Sequence, residues 1–274
     1  MTELKNKQNP YMTHAHEILA IHKETAMEWT FRLAYDTGKV DPNPGTFYML
    51  SVPGVGETPI SFSEKGEGYL DFTLRNVGEV TDAIFAKKPG ESIHLRGPLG
   101  NGWPIDQFRG KHMVLIGGGT GVAPIKSLME AAYHDKDLFL SMTIVVGFRD
   151  HEAILFKEAL DKYEKDDFFT TLYCLDNESH ETWRKGFVTE YLKEIPFAEF
   201  GDDYAVALVG PPPMMHFSAL ELMKNGVEED HIWQSFERKM YCGLGKCGHC
   251  RMNQDYVCID GPIFNYTKAQ KFVD

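Results

Sequence analysis

The chain has no apolar run of about 18 residues, so no bilayer-spanning helix is expected. It also lacks a basic excess: 28 lysines and arginines stand against 40 aspartates and glutamates, a formal net charge of −12. That balance argues against a nucleic-acid partner and suits a basic face on another protein. Low-complexity tracts and internal repeats are missing, which excludes a repeat array. Cysteine is scarce, with five in 274 residues, and no secretory leader is recognisable at Met1. An exported, disulfide-stapled fold is therefore not expected; a reducing compartment, the cytoplasm, is. What remains is 43% hydrophobic, enough for two small domains with sizeable cores plus an appendage. The first ten residues are polar and expected to be loose.

Four of the five cysteines fall within 17 positions: Cys242, Cys247, Cys250 and Cys258. Their spacing is C-x4-C-x2-C-x7-C, and the first three follow the plant-type [2Fe–2S] pattern. Four thiolates must converge on two irons while the loop wraps them, and Gly243, Gly245 and Gly248 supply the positive φ angles such a wrap needs. Zinc is the rival, although only Cys247 and Cys250 form a C-x2-C knuckle. Disulfides or ordinary buried thiols are further alternatives. Cys174 follows an apolar run and reads as a small buried residue. His249 reads as a loop residue beside the cluster.

From His16 to about Phe108, short β-like runs alternate with Gly/Pro turns. Residues 18–22, 28–34, 47–52, 69–74 and 92–95 are the expected strands, which together predict an antiparallel barrel or sandwich. A helix is expected over 81–87 with Thr81 as its N-cap. Two short segments stand out: Thr58-Pro59-Ile60-Ser61 and Arg75-Asn76-Val77-Gly78-Glu79-Val80-Thr81. Alone, the first reads equally as a strand entry and the second as a cap, though a helix start there offers backbone N–H groups to a phosphate.

Beyond residue 110 the pattern changes. The apolar run 113–116 leads into Gly117-Gly118-Gly119-Thr120-Gly121-Val122-Ala123-Pro124, and Ile125, Leu128, Met129 and Ala132 follow at helical spacing. Strand, glycine loop and helix make the half-unit that seats a pyrophosphate. The G-x-G-x-x-G fingerprint is absent, which disfavours an ordinary Rossmann dehydrogenase. Further strands are expected at 142–147, 168–174 and 204–209, with helices over 153–163, near 189–194 and through Leu222. This alternation implies a parallel sheet with ligands at the carboxyl ends of its strands. Gly118–Gly121, Gly147, Asp176 and Gly210 fall at those ends. The expected organisation is an antiparallel β-barrel over 1–109, a parallel-sheet α/β nucleotide domain over 110–230 and a cysteine lobe over 231–274.

These three parts resemble the ferredoxin–NADP reductase superfamily, which implies a flavin-binding barrel first, then a nicotinamide-binding domain, with the cysteine segment as an iron–sulfur lobe. The resemblance rests on Gly118–Pro124, on Gly210-Pro211-Pro212-Pro213-Met214 and on the cysteine segment. The iron–sulfur lobe narrows it to the branch holding the electron-transfer subunit of dihydroorotate dehydrogenase, the sulfhydrogenase gamma subunit and the corresponding flavin-bearing subunit of anaerobic sulfite reductase. Within the branch the chain is most similar to the sulfite reductase subunit, through Gly56–Ser61, Leu95-Arg96-Gly97, Gly100-Asn101-Gly102, Glu237–Met240, Gly243–Met252 and Tyr256–Tyr266. The resemblance implies NAD(P)H oxidation through FAD and delivery of single electrons through a [2Fe–2S] cluster held by the four cysteines. It implies as partners an iron–sulfur electron-transfer subunit and a sirohaem catalytic subunit; the alternative is the diaphorase subunit of a sulfhydrogenase. Pro59, Ile60 and Ser61 would line the flavin ring. Arg75, Asn76, Gly78, Val80 and Thr81 would meet its phosphates, because the arginine usual before Pro-x-Ser is Thr58 here. Gly118, Gly119, Thr120 and Gly121 would seat the nicotinamide-nucleotide pyrophosphate, and Gly210, Pro211 and Met214 the nicotinamide end. Asp176 reads equally as a residue placed to bind ribose hydroxyls and repel a 2′-phosphate, favouring NADH, and as an ordinary turn aspartate. No side chain is expected to act as general acid or base.

Overall fold

A computed structural model describes residues 9–38 and 40–272, so most of the N-terminal stretch expected to be loose lies outside the described residues. The first six strands are β1 (His14–Lys23), β2 (Glu28–Ala34), β3 (Phe47–Val52), β4 (Gly56–Gly66), β5 (Tyr69–Arg75) and β6 (Ser92–Leu99). They close into an antiparallel barrel in the order β1-β2-β5-β4-β3-β6. Inward side chains at alternate positions, Phe31 and Leu33 on β2, Leu70 and Phe72 on β5, are fully buried in its core. Each such side chain contributes about 1.5–3 kcal/mol of apolar burial. Strand β4 was not anticipated, because Pro59 and the polar run 57–58 break the apolar alternation. Helix α1 (Glu79–Phe85) crosses between β5 and β6. Its N-cap is Gly78, not Thr81 as expected. Thr81 sits in the first turn, where its hydroxyl accepts from the N–H groups of Val77 and Gly78 at 3.0 and 2.9 Å.

After a short helix, α2 (Ile105–Phe108), the second layer begins with β7 (His112–Gly118) and α3 (Val122–His134). Then follow β8 (Ser141–Phe148), α4 (Lys157–Glu164), β9 (Phe169–Leu175), β10 (Arg184–Lys185), α5 (Val188–Tyr191), α6 (Phe197–Phe200), β11 (Tyr204–Val209), α7 (Pro212–Lys224) and β12 (Ile232–Ser235). The sheet order is β10-β9-β8-β7-β11-β12-β15, where β15 (Ile263–Asn265) comes from the cysteine lobe. All pairings are parallel except that of β12 with β15. The central strands β7, β8 and β11 are buried along almost their whole length and mostly apolar, as a sheet covered on both faces requires. The expected boundary at 230/231 falls just before β12, so the nucleotide sheet continues past it and recruits a strand from the lobe.

Two contacts fix the barrel against the sheet. Lys126 on α3 is 5% exposed and bonds Glu64 of β4 as well as Glu130 one turn on. The backbone N–H of Phe156 donates to Glu24 of the β1–β2 turn at 3.0 Å. The lobe, with its small ladder of β13 (Arg251–Met252) and β14 (Asp255–Tyr256) and the final α8 (Tyr266–Ala269), fills the remaining corner. Phe47 and Met49 of the barrel share one apolar cluster with Met240, Cys250, Cys258 and Phe264. Asn101 ties the lobe down further: its backbone donates to the Gly261 carbonyl at 2.7 Å and its amide to that of Ile263 at 2.7 Å. No helix among the described residues is long and apolar enough to cross a membrane.

Candidate functional site

The cysteine loop is a wrap of backbone around sulfur. Gly243, Gly245 and Gly248 have φ of 65°, 65° and 82°, the left-handed values expected of them. The turns they permit aim backbone N–H groups at sulfur. Cys242 Sγ receives Leu244, Lys246 and Cys247 at 3.3–3.4 Å, and Cys258 Sγ receives Gly245 at 3.2 Å. Hydrogen bonds from the backbone of His249 and Cys242 pull the Cys247 thiol down to about 7. Burial, with Cys250 beside it, pushes Cys258 up to about 12. The sulfurs of Cys250 and Cys258 lie 3.3 Å apart and both are buried, and all five cysteines are free thiols, which removes the disulfide alternative. A set of four sulfurs, several already solvated by N–H donors, fits an iron–sulfur cluster. The loop has an inner and an outer side: Cys242 is half-buried against the barrel and Cys247 is exposed. His249 packs edge-on against Tyr241 with ring centroids 4.2 Å apart, in the outer loop as expected. Cys174 is fully buried, and burial pushes its thiol up to about 12.

A cleft of about 330 Å³ opens between barrel, sheet and lobe. Pro59, Ile60, Ser61, Arg75 and Thr81 line its barrel side, Thr120 and Pro124 its sheet side, and Ser235, Phe236, Glu237, Arg238 and Met240 close it from the lobe. Asn76, Gly78 and Val80 lie beside this lining without forming part of it. Asn76 Oδ1 is nevertheless buried with no hydrogen-bond partner, an orphaned acceptor at the edge of the cleft. Thr81 already occupies the N–H groups of Val77 and Gly78, so the donors left at this corner are those further into the turn and Arg75. Arg75 is half exposed and lies 3.4 Å from Glu28. An apolar wall from β4, a guanidinium at one end and an unsatisfied amide fit a flavin with its phosphates outward.

Beyond Thr120 the glycine loop separates two further clefts. One, of about 530 Å³, is lined by Gly118, Gly119, Gly147, Arg149, Asp176, Pro211 and Met214. The other, of about 630 Å³, is lined by Thr120, Gly121, Gly210, Pro211 and Glu237. The glycines do different work here. A Cβ on Gly118 would meet Met214 Sδ at 2.3 Å, and one on Gly121 would meet Gly210 Cα at 2.7 Å. Those two glycines serve close packing of loop on loop. Gly119 alone combines left-handed φ (54°) with open space, so it is the one that leaves room for an anion. Burial and nearby Asp150 push the Asp176 carboxyl up. Arg149, which no sequence signal marked out, shares its cleft, though its guanidinium is paired with Asp150 at 2.6 Å. Glu237 and Ser235, also unmarked as site residues, line both the flavin-sized cleft and its neighbour.

A barrel cleft closed by a nucleotide loop on one side, and on another by the segment that leads into four thiols, defines an NAD(P)H-dependent electron-transfer oxidoreductase. Residues 115–219 match the oxidoreductase NAD-binding domain, and residues 237–270 match the iron–sulfur cluster binding domain of dihydroorotate dehydrogenase B. The second match closes the zinc alternative. The chain is 31% identical to sulfhydrogenase 1 subunit gamma of Pyrococcus furiosus, over 94% of this chain and 92% of that one. It is 34% identical to the probable dihydroorotate dehydrogenase B (NAD(+)) electron transfer subunit of Methanocella arvoryzae, over 90% and 88% of the two chains. Among solved structures it superposes on the NADH-dependent reduced ferredoxin–NADP oxidoreductase with a TM-score of 0.77, at 26% identity over 94% and 90% of the chains. The chain therefore belongs to the family of ferredoxin–NADP reductase-like, NAD-binding electron-transfer subunits that carry the dihydroorotate dehydrogenase B iron–sulfur domain.

Proposed function

We propose that this chain is the NAD(P)H-oxidising flavin subunit of a larger redox complex, handing single electrons from its cysteine lobe to a partner chain. The observation that carries the reading is convergence: Pro59–Ser61, Thr120, Ser235–Arg238 and Met240 wall the same cleft, and Met240 stands two residues before Cys242. A bound FAD supplies the chemistry that side chains lack, taking electrons in pairs and releasing them singly. The protein orients and insulates. Pro59 and Ile60 form the apolar face against the ring, Ser61 offers a hydroxyl at its edge, and Arg75, with the N–H groups behind Gly78, Val80 and Thr81, meets the phosphates. The Asn76 amide fills its missing bond on the same ligand. Gly119 admits the nucleotide pyrophosphate, Gly118 and Gly121 hold the loop shut behind it, and Gly210, Pro211 and Met214 border the nicotinamide end. Asp176 takes the ribose hydroxyls, which favours NADH.

The partner docks on the outer side of the lobe, at exposed Cys247. Tyr241 and Ile259 are 60% and 50% exposed in the same lobe. Residues 237–271 hold six basic side chains (Arg238, Lys239, Lys246, Arg251, Lys268, Lys271) against three acidic ones (Glu237, Asp255, Asp260), within a chain of net charge −12. That local excess suits a carboxylate-rich partner face. For the identity of the complex, relatives at 31–34% identity support a hydrogenase-type or dihydroorotate dehydrogenase-type assembly over the expected sulfite reductase. The Gly243–Met252 and Tyr256–Tyr266 segments motivate the sulfite reductase as a second reading. Co-purification of the complex from its native host tests the choice: a hydrogenase or dihydroorotate dehydrogenase partner supports the first, a sirohaem partner the second.

A further inference from the structure

Three segments that the activity leaves unexplained, Glu57 ahead of Pro59, Arg96 on β6 and the start of the cysteine loop, meet at one point. Arg96 is 5% exposed although charged. Its Nη2 donates to Glu57 at 2.7 Å, and its Nη1 donates to the backbone carbonyl of Cys242 at 2.8 Å. Gly243 lets the loop approach: a Cβ there would stand 2.8 Å from Leu99 and 3.4 Å from the guanidinium. Met49 on β3 pairs with Pro59 on one side and Arg96 on the other. The cation therefore sits one strand from the wall of the flavin cleft and one peptide from a cluster ligand. Glu57 offsets the charge, but its side chain is 27% exposed against 4% for Arg96, so water weakens the carboxylate more than the guanidinium.

We propose that Arg96 is a positioning residue that holds Cys242 against the barrel and sets the reduction potential of the iron–sulfur centre, with Glu57 as its counter-charge. The inference rests on the reading of the four cysteines as cluster ligands. Reduction adds one negative charge to the cluster, and net charge and hydrogen bonding around the sulfurs set its potential. A desolvated cation at Cys242 favours the reduced form, and the Glu57 carboxylate opposes it. Arg96 thereby eases electron transfer into the cluster from the barrel side.

The test is an anaerobic redox titration of the full-length chain, followed by the paramagnetic signal of the reduced cluster, with iron and acid-labile sulfide measured on each sample. Arg96→Gln should move the cluster midpoint to more negative potential and Glu57→Gln to more positive, while Arg96→Lys, which keeps the charge, stays near wild type. The flavin midpoint should move less than the cluster midpoint in every variant. Should Arg96→Gln fail to fold, the opposite sign in Glu57→Gln still decides. Variants with intact iron whose midpoints stay at the wild-type value, or both shift the same way, overturn the proposal alone. A wild-type chain without iron and sulfide overturns the cluster reading and the proposal with it.

Discussion

Single residues divide the labour cleanly. The cluster and flavin positions belong to different elements and share no side chain, so Cys247→Ser should strip or destabilise the cluster while NADH still bleaches the flavin. Visible spectra before and after NADH addition check this, and loss of both responses together would contradict the modular arrangement. Reactivity follows the same logic. Thiolate is the nucleophile, and Cys174 is buried with its thiol raised to about 12. Alkylation at pH 8 after cluster removal should therefore place adducts only within 242–258, as mass spectrometry will show. An adduct on Cys174 in folded protein would be inconsistent with that core position. The cysteine spacing and its glycines were legible at this scale because thiolates on metal demand both. Arg96 was legible only as part of a motif; its contacts with Glu57 and Cys242 span 39 and 146 residues of sequence separation, which no local pattern encodes.

At the scale of elements, the β4–α3 contact is the most instructive. Lys126, Glu130 and Tyr163 are all buried, and Glu64 of the barrel joins them. Burial alone would raise Glu64 and Glu130, but Lys126 outweighs it and both carboxyls are lowered. Their contribution to stability is thus complete above the ordinary carboxylate value and lost as pH falls through the lowered ones. Lys126→Met removes the nearest cation from the buried Glu130 and the half-buried Glu64, leaving Lys162 and Tyr163 on the first and Arg32 and Tyr69 on the second, which should cost about 3 kcal/mol near neutral pH, the low end for a broken buried pair. In that variant burial is less opposed and both carboxyls sit higher than in wild type, so its deficit relative to wild type should shrink as pH drops below about 5. Denaturant unfolding at pH 7 and pH 4.5 measures both effects, and a deficit that grows on acidification would refute the assignment. The sequence made the strand and helix elements of the nucleotide sheet readable through unbroken apolar runs. It hid β4 behind a proline and hid the antiparallel β15, a short strand that pairs only because the lobe folds back onto β12. Thr81 was misplaced by three positions because a hydroxyl in the first turn can reach back to the same N–H groups that a cap would serve.

For the molecule as a whole, the charge asymmetry between lobe and remainder has a measurable consequence. Electron delivery to a carboxylate-rich acceptor should slow several-fold as salt rises, and again in Lys246→Glu, while flavin reduction by NADH stays unchanged. Stopped-flow rates at two ionic strengths separate these steps; equal salt dependence of both would locate the docking face elsewhere. Composition and module order made the three-part architecture legible, because barrel, parallel sheet and thiol loop each carry their own periodicity. The partner's identity was not legible, since its chemistry resides in another chain.

Cofactor content of the anaerobically purified chain decides most directly whether flavin and cluster work in series. It is read by absorption, by iron and sulfide analysis and by electron paramagnetic resonance after reduction. The expected outcome is flavin absorption, about two irons and two acid-labile sulfides per chain, and a paramagnetic signal that NADH itself brings out. A colourless protein, or one whose iron stays silent when NADH bleaches the flavin, would contradict it.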